Sequence, residues 1–177
     1  MNFLVKDKKD FDRDYVKKRF DEWMNINFAY YGFEMQYKDI VPKIIVEEYL
    51  EDNPQEDLKD YKLFVFDGKV EYIQIDVARY HGHKRAILDR NGNYVDGEIG
   101  FQGCDIVEIP EVPFREKMIS LTEKLGQGFA HVRVDLYCCK ESIYFGEMTF
   151  THGSGMEYFK PVELAESMGD LIDIGEL

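Results

Sequence analysis

Residues 132–150, VRVDLYCCKESIYFGEMTF, read as two strands joined by a short turn. In the first arm Val132, Val134 and Leu136 alternate with Arg133, Asp135 and Tyr137. In the second, Phe145, Glu147 and Thr149 share one side, and Tyr144, Met148 and Phe150 share the other. Each arm therefore has an oily face and a face that carries polar groups. A turn centred on Glu141 sets Asp135 opposite Glu147, with Cβ atoms about 5 Å apart. Two carboxylates at that separation repel, and burial favours protonation of one of them. A divalent cation such as magnesium would relieve the repulsion, because hard ions take carboxylate oxygens. The plain alternative is a wet face on which the acids stand in water.

Working outward from this hairpin, YKLFVFDGKVEYIQIDVAR (residues 61–79) gives two β-rich runs around Asp67-Gly68, a strong hairpin signal. Residues 86–95 form a further hairpin or long turn, punctuated by Asn91-Gly92. PKIIVEEYL, Pro42–Leu50, reads as a strand. Between Lys6 and Met24, the spacing of Val16, Phe20, Trp23 and Met24 predicts an amphipathic helix. A second helix is predicted over Pro113–Leu125, with Met118, Leu121 and Leu125 as its inward stripe and Gly126 at its end. A short one follows around Val162–Met168. Strands that neighbour one another in hairpins, with helices between them, make the class α+β with a largely antiparallel sheet.

The chain has 177 residues, of which 45% are apolar and 15% aromatic, enough for a real core. A formal charge of −13 argues against nucleic acid and against anionic membrane surfaces. No apolar run has the length of a membrane span, so no membrane insertion is expected. Cys104, Cys138 and Cys139 are odd in number, and two of them are adjacent, which fits a reducing cytosol.

Three segments in order, IIVEEYL, LKDYKLFVFDGKVEYIQID and VRVDLY…IYFGEMTFTHGSG, resemble the TupA-like branch of the ATP-grasp proteins, from about Asn2 to Leu171. The last segment is the most specific, combining a strand acid, a hairpin, a second acid and a small-residue turn. That branch is named for a teichuronic-acid biosynthesis protein and is often labelled glycosyltransferase. ATP-grasp folds hold ATP between two α+β lobes, and most of the enzymes join a carboxylic acid to an amine through an acyl phosphate. The resemblance thus implies ATP and Mg²⁺ (or Mn²⁺) as cofactors. It implies that residues 1–50 are the remainder of a smaller lobe ending at an adenine hinge strand. Residues 51–177 would be the larger lobe with the metal-binding hairpin.

Carried over onto this chain, Glu47, Glu48, Tyr49 and Leu50 resemble the hinge that faces adenine. Asp60 resembles the acid that takes the ribose hydroxyls, since a carboxylate accepts two hydrogen bonds at once. Lys62, Arg79 and Arg133 resemble the cations on the phosphate and substrate side. Asp135 and Glu147 resemble the magnesium ligands. Thr149 stands where many ATP-grasp enzymes have Asn. In Thr151–Gly155, residues Gly153, Ser154 and Gly155 resemble the turn that meets the substrate's acidic end, whose backbone N–H groups can cradle an anion. From spacing alone, a tight loop that needs glycine for its dihedrals is the favoured reading.

In this family a segment like NFLVKDK follows a strand with a phosphate-binding lysine and a glycine-rich loop. The resemblance therefore implies an ATP-grasp fold incomplete at its N-terminus: a truncated product, a degenerate paralogue or one half of a split enzyme. An edge at Asn2–Val5 and Ile44–Val46 would then invite self-association into a homo-oligomer, or pairing with a separate N-terminal piece. The expected function is ligation of a carboxylate-bearing sugar or glycan to an amine in cell-surface polysaccharide assembly. Its rivals are a non-catalytic nucleotide- or partner-binding protein and a glycosyltransferase. His81-Gly82-His83 lacks a third metal ligand, and His131 reads as a packed or surface histidine.

Overall fold

The computed structural model describes residues 2–5, 7–51, 58–77, 83–101, 103, 109, 111–173 and 175. The chain divides into two compact units, Met1–Leu50 and Glu51–Leu177. In the first, helix α1 spans Arg13–Met24. The Asp12 carboxylate starts it by accepting from the Asp14 and Tyr15 amides at 3.1 and 3.0 Å, which satisfies two donors of the first turn. Val16 is buried, and the Phe20 ring stands edge-on to Trp23 with 5.1 Å between centroids.

The strand expected over Pro42–Leu50 is not formed. Residues 41–50 run without regular structure, and Ile45 and Val46 are 77% and 90% exposed. β-Branched residues favour a strand only where a partner takes up their backbone groups. None of the described strands pairs with this segment. Asn2–Val5 is likewise irregular, so neither stretch forms the expected strand edge.

The second unit is α+β, as the sequence predicts. Its strands are β1 (Asp60–Phe66), β2 (Lys69–Val77), β3 (Lys84–Asp89), β4 (Glu98–Ile99), β5 (His131–Cys139), β6 (Ser142–Thr149) and β7 (Phe159–Lys160). The main sheet has the order β3-β2-β1-β5-β6 with every pairing antiparallel, and β4 pairs with β7. Asp67 and Gly68 turn β1 into β2, both at positive φ, as a two-residue hairpin requires. The 132–150 hairpin turns through Lys140 and Glu141, also both at positive φ. A turn centred there would offset the acids by one residue. The turn itself sets Phe145 opposite Leu136, and a bulge with Gly146 as the extra residue then restores Asp135 opposite Glu147.

Period-two alternation gives the sheet its two faces. Leu63, Val65, Ile73, Ile75, Ala86, Val132, Val134 and Leu136 form one core beneath helix α2 (Arg115–Leu125). The inward residues of α2 are Met118, Ile119 and Thr122, whereas Leu121 and Leu125 are 37% and 42% exposed. The expected stripe is therefore rotated. Gly126 lies so close to Val65 that a Cβ there would come within 2.7 Å of Val65 Cγ1, which seats the helix end on the sheet and fixes its roll. On the opposite face Phe64, Phe66 and Ile87 pack with Ile99 and with Leu164 and Met168 of helix α3 (Val162–Gly169). Among the described residues no helix is long and apolar enough to cross a membrane.

The roll of α2 is testable by urea denaturation. Met118→Ala is expected to cost about 2–5 kcal/mol, as other large-to-small core changes do, while Leu121→Ala costs under about 1 kcal/mol. The reverse order would contradict the packing described.

Candidate functional site

The sheet face opposite α2 carries oil at one end and charge at the other. Across the strands, Gln74, Lys62, Asp135 and Glu147 stand in one row. A neighbouring row holds Arg85, Asp76, Asp60 and Tyr137, and on the other side lies a row of Tyr72, Phe64, Arg133 and Thr149. Three of the expected acids and two of the expected cations thus converge through strand register alone.

Their contacts form a ladder of alternating sign. Lys62 Nζ donates to Asp60 Oδ2 at 2.6 Å and to Asp135 Oδ2 at 2.5 Å. Arg133 grips the same Asp135 from the other side, through Nε to Oδ1 at 2.7 Å and Nη2 to Oδ2 at 2.9 Å. The same Nη2 reaches Glu147 Oε1 at 3.3 Å and Thr149 Oγ1 at 3.2 Å, and the Thr149 hydroxyl donates to Glu147 Oε1 at 2.8 Å. Asp60, Lys62, Arg133 and Asp135 are buried, but the Glu147 side chain is 61% exposed. The repulsion between Asp135 and Glu147 is therefore met by the guanidinium that bridges them. Burial raises the Asp60 pKa, Lys62 opposes that, and Asp135 and Asp76 push it further up.

Among the described residues no group of three or more His, Cys, Asp or Glu side chains could hold a metal ion. The face offers a cross-strand pair of hard carboxylates, one with both oxygens engaged and one open to solvent, beside a hydroxyl. That donor set is too small for a free-standing magnesium centre. It fits an ion most of whose oxygens arrive with a phosphate ligand.

The other expected residues lie as follows. Glu47, Glu48, Tyr49 and Leu50 close the first unit in irregular backbone, with Glu47 and Glu48 exposed. Arg79 lies outside the described residues, as do His81 and Cys104. His152–Gly155 is a 3₁₀ turn with Gly153 and Ser154 at φ 55°, in the left-handed region. The Ser154 amide donates to Thr151 O and the Met156 amide to Gly153 O, so part of the turn's N–H set is spent internally. His131 is packed, as expected: Nδ1–H donates to Val65 O at 2.9 Å, the ring stacks on Phe66, and burial lowers its pKa.

Asp76, Arg85, His152 and Glu157 form a second charged cluster that sequence reasoning missed. Arg85 donates to Asp76 Oδ1 at 3.0 Å and to Glu157 Oε1 at 2.7 Å, and His152 Nδ1 meets Glu157 Oε2 at 2.7 Å. The hydrogen bond from His152, joined by that from Arg85, holds the Glu157 carboxyl down to about 2 against the opposing effect of burial. One half was open to detection, because the Asp67-Gly68 hairpin puts Gln74 and Asp76 on the face of Lys62. Glu157, 72 residues beyond Arg85, was not.

Residues 2–173 match the family model described as TupA-like ATPgrasp. No curated protein and no solved structure matches the chain.

Lys62 generates a pH-dependent prediction. Lys62→Met leaves Asp60 and Asp135 buried without their shared cation, a change expected to cost about 3–5 kcal/mol at pH 7.5. A raised carboxyl pKa favours the protonated fold, so the deficit appears as pH rises through the folded-state pKa and shrinks as pH falls toward 4. Denaturation of both proteins from pH 4 to 8 should show that convergence. A pH-independent gap would contradict it.

Proposed function

The chain belongs to the TupA-like ATP-grasp family, and from that premise we propose that it binds ATP with a divalent cation and activates a carboxylate. The observation that carries the reading is the cross-strand pair Asp135 and Glu147, bridged by Arg133 and flanked by Thr149. In this reading Glu147, with its exposed carboxylate, takes the Mg²⁺ or Mn²⁺ that enters with the phosphates, and Asp135 and the Thr149 hydroxyl complete the protein's share. The ion would neutralise phosphate charge. Arg133 and Lys62 supply fixed positive charge where the transferring group becomes more anionic. Asp60 takes the ribose hydroxyls. The Gly153-Ser154-Gly155 turn meets the carboxylate-bearing sugar or glycan, whose acyl phosphate is then captured by an amine in cell-surface polysaccharide assembly. The nucleotide requirement points to the cytoplasm.

A second reading is a nucleotide-binding protein without turnover. The observation favouring it is that both Asp135 oxygens are already held by Arg133 and Lys62. The two readings share a binding step and differ in whether ADP is formed from ATP.

Titration calorimetry with ADP and Mg²⁺ tests the shared step. Wild type is expected to bind the pair, with neither Mg²⁺ nor ADP alone giving comparable affinity, and Glu147→Gln should weaken binding by at least about tenfold, roughly 1.4 kcal/mol. Equal affinity of the two proteins would remove Glu147 from the site.

A further inference from the structure

The Asp76–Arg85–Glu157–His152 cluster is built around one carboxylate. Glu157 is met from one side by Arg85 and from the other by His152, each at 2.7 Å. Arg85 is itself anchored by Asp76 and by the Ile99 carbonyl oxygen. Two glycines leave the space in which Glu157 lies. A Cβ on Gly153 would fall 2.2 Å from Glu157 Cγ, and one on Gly100 would fall 2.7 Å from Glu157 Oε1 and 2.9 Å from Arg85 Nη1. Sequence reasoning gave Gly153 to the substrate turn. Its bare Cα also has this second consequence, that Glu157 can approach the imidazole.

A carboxylate can only accept, so Nδ1 of His152 carries the proton and the neutral ring holds its lone pair at Nε2. Among the described residues Nε2 has no hydrogen-bond partner, and it is not among the buried polar atoms lacking one. His131 differs in that its Nδ1–H is spent on a backbone carbonyl and its ring is stacked on Phe66. The His152 ring stands edge-on to Phe64, 5.3 Å between centroids, and Phe64 is the cross-strand partner of Arg133. Glu157 also acts electrostatically on Arg133. The Phe64 ring thus stands between the imidazole and Arg133 of the Asp135–Glu147 centre, and the imidazole has one nitrogen fixed and the other available.

We propose that His152, oriented by Glu157, is the proton acceptor for the nucleophile that captures the activated carboxylate. The inference rests on the ligase reading given above. The proton passes from the nucleophile's N–H or O–H to Nε2 as that heteroatom bonds to the acyl carbon. The bond from the acyl carbon to the phosphate oxygen breaks, and inorganic phosphate leaves with the electron pair. Glu157 is a positioning residue that sets the tautomer and compensates the imidazolium.

The tautomer decides the matter without the substrates. ¹⁵N NMR of the full chain at pH 9 should show His152 protonated at Nδ1 alone. In Glu157→Gln the side-chain carbonyl must turn to Arg85, which only donates, so the amide NH₂ faces His152 and the proton moves to Nε2. Acylation by diethyl pyrocarbonate, mapped by mass spectrometry, should modify His152 at least tenfold faster than His131, whose ring is stacked on Phe66, in the wild type. It should fall at least tenfold in Glu157→Gln. A wild-type ring protonated at Nε2, or one no more reactive than His131, overturns the proposal even if the variant does not fold. Mg²⁺–ADP calorimetry on the same wild-type sample separates the two readings. Lost nucleotide binding with an intact tautomer rejects the ligase reading, and with it this role, while retained binding with the wrong tautomer rejects His152 alone.

Discussion

Asp135 is a carboxylate with almost no access to water, and its place in β5 is tenable because Lys62 and Arg133 hold it from two sides. A buried charge left unpaired costs several kcal/mol, more than a domain of this size can carry without compensation elsewhere. The register of three strands follows from that constraint as much as from the apolar face. Lys62 must stand opposite Asp135, and Glu147 on its other flank, for the alternation of charge to close. One residue of slip in β5 would turn Val134 toward the charges and Asp135 into the core beneath α2.

The same alternation of charge produces a gradient from a neutralised interior to an open rim. Asp60, Lys62 and Asp135 are sealed, whereas Glu147 faces solvent with one oxygen engaged by Arg133 and Thr149. A ligand carrying anionic oxygen and a divalent ion would meet Glu147 first and the fixed cations behind it. Phe64 lies between this centre and the His152–Glu157 pair, with Arg133 beside it.

Period-two patterns were legible wherever the partner strand lay nearby. The alternation of Val132, Val134 and Leu136 against Arg133 and Asp135 gave the faces, and Asp67-Gly68 gave the β1–β2 turn. The Asp135–Glu147 alignment was read correctly for an incomplete reason. The turn is two residues at Lys140 and Glu141, and the Gly146 bulge supplies the compensating shift. Pro42–Leu50 failed because β propensity describes fit to a neighbour, and sequence alone cannot supply one. The roll of α2 failed because Leu121 and Leu125 satisfy the helical period as well as Ile119 and Thr122 do. Contact between the helix end and Val65 decides which face lies down. Glu157 was invisible because its partner Arg85 lies 72 residues away on β3 and meets it only through the tertiary fold.

The central claim is that Asp135 is neutralised by a specific buried partner on the neighbouring strand. A double-mutant cycle with Lys62→Met and Asp135→Asn, read by chemical denaturation at pH 7.5, measures that pairing directly. The account predicts that the double variant is more stable than the sum of the single losses allows, by about 2–3 kcal/mol, near the top of the range for contacting residues. Additive losses, agreeing within about 0.5 kcal/mol, would show that Lys62 and Asp135 do not depend on each other and would contradict it.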